Sequence, residues 1–144
     1  MYLVSACLCG YPCRYDNLLR PDPQALRLLT LGLAYPVCPE VLGGLTVPRP
    51  PAEIVGGDGE AVIQGLARIV TEDGMDVTAE YLCGAHRSLR IGLQAGCRRA
   101  VLKQKSPACG AGTIYDGSFS ACLTQGDGVL AALLKRYGFD IVAV

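Results

Sequence analysis

Four short apolar runs, separated by segments of helical pattern, constrain this chain more than any other feature. They are Tyr2–Cys7 (YLVSAC), Tyr35–Cys38 (YPVC), Arg99–Gln104 (RAVLKQ) and Phe139–Val144 (FDIVAV). Each is short, apolar and bounded by breakers, as a buried strand is. Between them, Pro23–Leu33 reads as a helix. Asp22 is placed to cap it, Pro23 suits the first helical position, and Leu26, Leu29 and Leu33 recur at helical spacing. Asp76 precedes a longer helical pattern, Val77 to about Gly96, with Tyr81, Leu82, Ala85, Leu89 and Leu93 on one face. Gly128–Tyr137 is a third helix, ended by Gly138. Strands alternating with helices predict a parallel sheet covered on both faces. The expected fold is α/β: a single three-layer, Rossmann-like domain over residues 1–144 with a mostly parallel sheet of about four strands.

Two segments interrupt the alternation. Val41–Ile54 (VLGGLTVPRPPAEI) carries two glycines and three prolines and reads as a rigid extended loop. Ala61–Val70 (AVIQGLARIV) has β-type composition around a glycine and predicts a small hairpin or lid. Lys105–Ser120 reads as a loop.

The parallel topology gives the cysteines a meaning. Right-handed crossovers place the outgoing loop of each strand along one edge, where ligands of such sheets bind. Cys7 ends the first run and Cys38 the second; Cys109 lies just beyond the third, and Cys13 lies in the loop after the first. All four are expected at one rim. Cys9, two residues after Cys7, is expected to point elsewhere. Cys83, Cys97 and Cys122 sit in helical or small-residue segments and read as buried apolar residues. The N-terminus lacks a basic head, and no apolar run approaches the ~20 residues that cross a bilayer. A cytoplasmic location is expected, where clustered thiols bind metal or react rather than pair. Three or four convergent thiolates suit zinc or an iron–sulfur cluster, and the C-x₅-C spacing does not choose between them.

Neighbouring residues add chemistry. Glu40 follows Cys38 by two positions and is placed to act as a general base; Ser106, in KSP before Cys109, is placed to orient a water, with Lys103 or Lys105 beside it. The ordinary readings are a surface carboxylate and a turn residue. CGAGT could cradle phosphate through backbone N–H groups but lacks full phosphate-loop spacing. His86, the only histidine, reads as a polar helix face, Arg98 and Arg99 as cations closing a helix, and Arg14, Tyr15 and Asp16 as a loop-fixing set. With 13 basic and 13 acidic residues the formal net charge is zero, which disfavours a general nucleic-acid binder.

Taken in order, SACLCGYPCRYDN, VCPEVLGGLTVPRPPAEI, DVTAEYLCGA, LKQKSPACG, IYDGSFS and GDGVLAALLKRYGF resemble the thiouracil desulfurase (TudS-like desulfidase) family over nearly the whole chain. The resemblance implies a [4Fe–4S] cluster held by three cysteines, with the fourth iron open to the sulfur of a thiolated pyrimidine. It implies non-redox desulfuration to uracil and sulfide, with the catalytic glutamate at Glu40 and the catalytic serine at Ser106. Cys7, Cys38 and Cys109 are taken as the ligands because they end separate strands, and Cys13 is the alternate. The chain departs from the family at Cys9, where an apolar residue is usual, at Asn17, where glycine is usual, and at Thr46–Val47. Two other readings stand beside this one: a thiol or metal-binding regulatory or storage protein without turnover, and a cluster enzyme acting on thiolated nucleosides or tRNA.

Overall fold

The computed structural model describes residues 1–144. Strand β1 (Tyr2–Ser5) is central. It pairs in parallel with β2 (Ala34–Val37) on one side and β5 (Arg99–Leu102) on the other. Strand β8 (Asp140–Ala143) extends the sheet beyond β5, also in parallel, so the order is β2-β1-β5-β8. Pro36 lacks the N–H that an inner strand would need, and β2 accordingly lies at an edge.

The alternation of side chains across a strand sorts the core into two layers. Leu3, Ala100 and Leu102 pack with the long helix α4 (Thr78–Gln94) and with α5 (Val129–Arg136) in a core of 22 buried residues. Val4 and Val101 face the other way, toward α1 (Pro23–Thr30), in a smaller core with Leu8, Cys9 and Ala25. The three-layer α/β architecture expected from the sequence is therefore present, with one face far more heavily covered. Asp22 caps α1 as expected, accepting the Ala25 N–H at 3.0 Å. The buried residue of α1 is Ala25, however, while Leu26 and Leu33 are exposed. Leu33 lies past the end of the helix.

The inserted segments differ from their expectation. The proline-rich stretch opens with a short helix, α2 (Pro39–Leu42), and ends in strand β3 (Ala52–Val55). Ala61–Val70 is not itself a hairpin. Its first residues belong to α3 (Gly59–Ile63), where Asp58 accepts the Ala61 N–H, and its last form β4 (Arg68–Thr71), antiparallel to β3. A short apolar run is ambiguous between helix and strand, and the Asp58 cap decides it. The Lys105–Ser120 loop also contains a short strand. β6 (Thr113–Tyr115) pairs antiparallel with β7 (Leu123–Gln125), and three-residue strands leave no periodic signal. Arg98 and Arg99 do not close a helix: α4 ends at Gln94 and Arg99 opens β5, donating to the Tyr2 hydroxyl.

Glycine lets α2 and α4 touch. A Cβ on Gly84 would lie 1.7 Å from the Pro39 carbonyl oxygen, and one on Gly43 would lie 1.9 Å from the Glu80 oxygen. The buried face of α4 accordingly runs through Tyr81, Gly84, Ala85, Ser88, Leu89 and Gly92, and Leu93 is exposed. Because α2 follows Cys38 and carries Glu40, this contact sets the position of both. Gly84→Ala is expected to cost about 1–3 kcal/mol or more, as overpacking does. Urea unfolding measures it, with His86→Ala on the exposed face of the same helix near neutral.

Candidate active site

The carboxyl ends of β2, β1 and β5 open into one cleft of about 700 Å³. Cys7, Cys13, Cys38 and Cys109 all line it, and so do Glu40 and Ser106. Four thiols separated by up to about a hundred positions are brought together by parallel pairing alone. Cys9 and Cys97 are buried in the core and do not line the cleft, as expected. Cys122 departs from its expectation of burial: it is exposed, beside Ser120. Cys83 is partly exposed.

Each cysteine is held differently. Cys7 lies in the short 3-10 turn, Ala6–Cys9, that follows β1. Cys38 occupies the N-cap position of α2. Cys109 is fully enclosed in a turn organised by Ser106, whose Oγ accepts the Ala108 and Cys109 N–H groups at 3.0 and 3.1 Å. That turn is docked on α5 through Val129 and Leu130, which donate to the Pro107 and Ala108 carbonyls. The turn reading of Ser106 and the cleft reading are thus both met. Its acceptor sites serve the backbone, and its hydroxyl proton is left to donate.

Glu40 is not an ordinary surface carboxylate. Its side chain is 15 % exposed and accepts from Arg49, itself 5 % exposed, at 3.1 Å. The same guanidinium donates to the carbonyls of Cys13 at 2.8 Å and Thr46 at 3.0 Å. Arg49 therefore ties the acid to the Cys13 loop. Sequence reasoning gave Arg49 no role; its signal was a lone arginine set among prolines. Lys103 and Lys105 both line the cleft, and the Lys103 N–H donates to Ser5 Oγ at 3.0 Å.

The thiols and Glu40 act on one another electrostatically. Burial raises the Cys7 pKa to about 11, with the Glu40 and Cys38 charges adding to it. Burial and Glu40 also push Cys109 up, opposed by a hydrogen bond from Ser5. The Cys38 thiol donates to the Cys13 carbonyl oxygen at 3.8 Å; the neighbouring Cys13 thiol lowers Cys38 against its burial, and Cys38 raises Cys13. No three Cys, His, Asp or Glu side chains close tightly enough for a single metal ion. The four thiols instead lie around one cleft.

Of the remaining candidates, Arg14 and Tyr15 line the cleft; the others lie away from the chemistry. The CGAGT amides are spent inside the protein: Gly110 N–H donates to the Ser106 carbonyl, Ala111 to Gln104 and Gly112 to Asp127. They form no phosphate cradle. His86 is exposed, as expected. Arg14 pairs with Asp16 through two hydrogen bonds, holding that carboxyl down to about 2, and lies over the Tyr15 ring.

The profile of the 2-thiouracil desulfurase family matches residues 2–144. The chain belongs to the 2-thiouracil desulfurase family. It is 44 % identical over 143 residues to the Bacillus subtilis (strain 168) protein YbbK, an uncharacterized protein, covering 99 % of this chain and 95 % of that one. Among solved structures it is similar to a [4Fe–4S]-dependent thiouracil desulfidase, TudS, at 43 % identity and a TM-score of 0.86, covering 99 % of this chain and 89 % of the other. The family motifs quoted above therefore sit on a shared fold. Asn17, where the family usually has glycine, adopts φ 58°, a left-handed conformation that asparagine tolerates better than most residues.

The ordering of thiol acidities is directly testable in the reduced, metal-free protein. At pH 8 a thiol of pKa about 11 is ionised in about one molecule per thousand, so iodoacetamide is expected to label Cys38 well before Cys7. Cys13→Ala removes the neighbouring thiol that lowers Cys38 and is expected to slow Cys38 labelling several-fold. Mass spectrometry of alkylated peptides against time and pH reads both.

Proposed function

We propose that this chain, as one desulfurase-like domain over residues 1–144, converts a thiolated pyrimidine such as 4-thiouracil or 2-thiouracil to the oxo base and sulfide. The reaction consumes water and involves no net redox change. The observation that carries the reading is the meeting, at three adjacent parallel strand ends, of Cys7, Cys38 and Cys109 with a partly buried acid held by an arginine. Those three cysteines are the proposed ligands of a [4Fe–4S] cluster. Their fit rests on the donor set, three thiols lining one roomy cleft. Cys13, whose carbonyl oxygen accepts from the Cys38 thiol at 3.8 Å, orients that ligand from outside. Eight free thiols support a reducing, cytoplasmic setting, and no helix is long and apolar enough to cross a membrane.

When bound, such a cluster supplies a soft iron Lewis acid that holds the thiocarbonyl sulfur and draws electron density from its carbon. Glu40 takes a proton from a water aimed at that carbon. Arg49 fixes the carboxylate by charge-assisted hydrogen bonding, so its free oxygen has a defined direction. The Ser106 hydroxyl donates its remaining hydrogen bond to hold the water in line. The new C–O bond replaces C–S; both protons of the water end on the departing sulfur as H₂S or on solvent.

Anaerobic reconstitution with iron and sulfide, followed by addition of 4-thiouracil, tests the proposal. Visible absorbance, uracil and sulfide are expected together. Absorbance without sulfide release would favour a storage or regulatory protein, and preference for 4-thiouridine or thiolated tRNA over the free base would favour the nucleic-acid reading. Glu40→Gln is expected to keep the absorbance and lose about 10²–10⁴ in kcat. Cys109→Ala is expected to lose the visible absorbance itself; an unchanged spectrum would remove Cys109 from the ligands.

A further inference from the structure

The motif IYDGSFS has no role in the chemistry above, yet it carries a backbone feature that calls for one. Between β6 and β7 the chain turns through Asp116–Cys122, closed by the Asp116 N–H on the Cys122 carbonyl at 2.9 Å. Within this turn Phe119 has φ 56° and Ala121 has φ 60°. Left-handed backbone disfavours side-chain-bearing residues other than Asn and Asp, and it persists where surroundings or function demand it. The surroundings here are specific. Glu53 of β3 accepts the Gly117 N–H at 2.9 Å and the Phe119 N–H at 3.3 Å through one carboxylate oxygen. Gly117, at φ 89°, lies so close to β3 that a Cβ would sit 2.4 Å from the Ile54 oxygen. The turn is therefore strapped onto the β3–β4 hairpin. Its strap presents a partly exposed phenyl ring to the cleft that holds Cys7, Cys38, Cys109 and Glu40.

The geometry points to Phe119 as the stacking platform for the heteroaromatic ring of the substrate, with Glu53 as the residue that positions it. Two features favour ligand contact over core packing. Phe119 is outside both buried cores, so it supports no layer of the fold. It also lacks a polar handle, so in a cleft lined by thiols and charges a flat apolar face is what it can offer. Of the other aromatic residues at the cleft, Tyr81 is buried beneath it, Tyr15 already has the Arg14 guanidinium over its ring, and Tyr115 carries a hydroxyl and lies within the regular strand β6. A pyrimidine is planar and stacks well on phenyl; an acyclic thiourea offers the same C=S group without an aromatic ring. The platform thus selects for ring-bearing substrates and leaves the carbon–sulfur chemistry to other residues. This inference rests on the proposed desulfuration for its choice of substrate, and on the cleft alone for the ring contact.

The test compares the wild-type loaded enzyme with Phe119→Leu and Phe119→Gly. Glycine suits the left-handed backbone, so this variant loses the ring without adding backbone strain. For 4-thiouracil, KM is expected to rise about 5- to 100-fold in Phe119→Gly and less in Phe119→Leu, with kcat changed far less. The Kd for uracil, measured by calorimetry, is expected to rise in parallel. With N-methylthiourea as substrate, wild type and both variants are expected to share one KM. Glu53→Gln is expected to raise the 4-thiouracil KM and the uracil Kd in the same direction, with N-methylthiourea again unaffected. Equal KM values for 4-thiouracil across the Phe119 series, or an equal rise for the thiourea, would overturn the platform. If the wild type releases no sulfide but uracil binding still falls in Phe119→Gly, the platform stands and the desulfuration reading fails.

Discussion

The whole arrangement depends on β1 being buried on both faces between two parallel neighbours. Its Leu3, Val4 and Ser5 are almost wholly removed from water. A strand with partners on both edges and helices on both faces can send its chain out only at its carboxyl end. Parallel pairing with β2 and β5 then forces their outgoing segments to the same rim. Hydrophobic burial of a few β residues thus does the long-range work of gathering cysteines from distant parts of the chain. Ser5 shows how closely the two functions share residues: it is the last residue of the core strand, it lines the cleft, and its Oγ accepts the Lys103 N–H at 3.0 Å.

At the rim the electrostatics run against the thiols. Burial and the Glu40 charge disfavour the thiolate at Cys7 and Cys109, so both are held as neutral thiols before any ligand arrives. A buried carboxylate without a partner would be costly. Arg49 is what makes Glu40 tolerable there, and by holding the Cys13 carbonyl as well it couples the acid to the neighbouring thiol loop. A metal group bound by these cysteines would displace their thiol protons, so its binding would release protons and strengthen as pH rises.

Close backbone approach supplies precision. Gly43 and Gly84 bring α2 onto α4, and Gly117 brings the aromatic turn onto β3. In each case hydrogen has been kept where a methyl group would separate two backbones. The result is that Glu40 and Phe119, on opposite insertions, border one cleft despite lying on short elements with little core of their own.

The sequence by itself determined the layer architecture, the cap at Asp22, the rim location of Cys7, Cys13, Cys38 and Cys109, and the family. Those follow from period, breakers and motif order, all local properties of the chain. It was silent on Arg49, misread α3 as part of a hairpin or lid, left β6 as loop, assigned β7 to no element, and buried Cys122, which is exposed. The α3 cap is a local signal passed over; others turn on contacts between segments: a guanidinium reaching a carboxylate nine residues away across a proline-rich loop, or a three-residue strand that exists only because its partner lies beside it. Local pattern reports which face of an element is apolar. Which two polar side chains finally meet is decided by the path of the loops between elements, and only the tertiary structure decided that path.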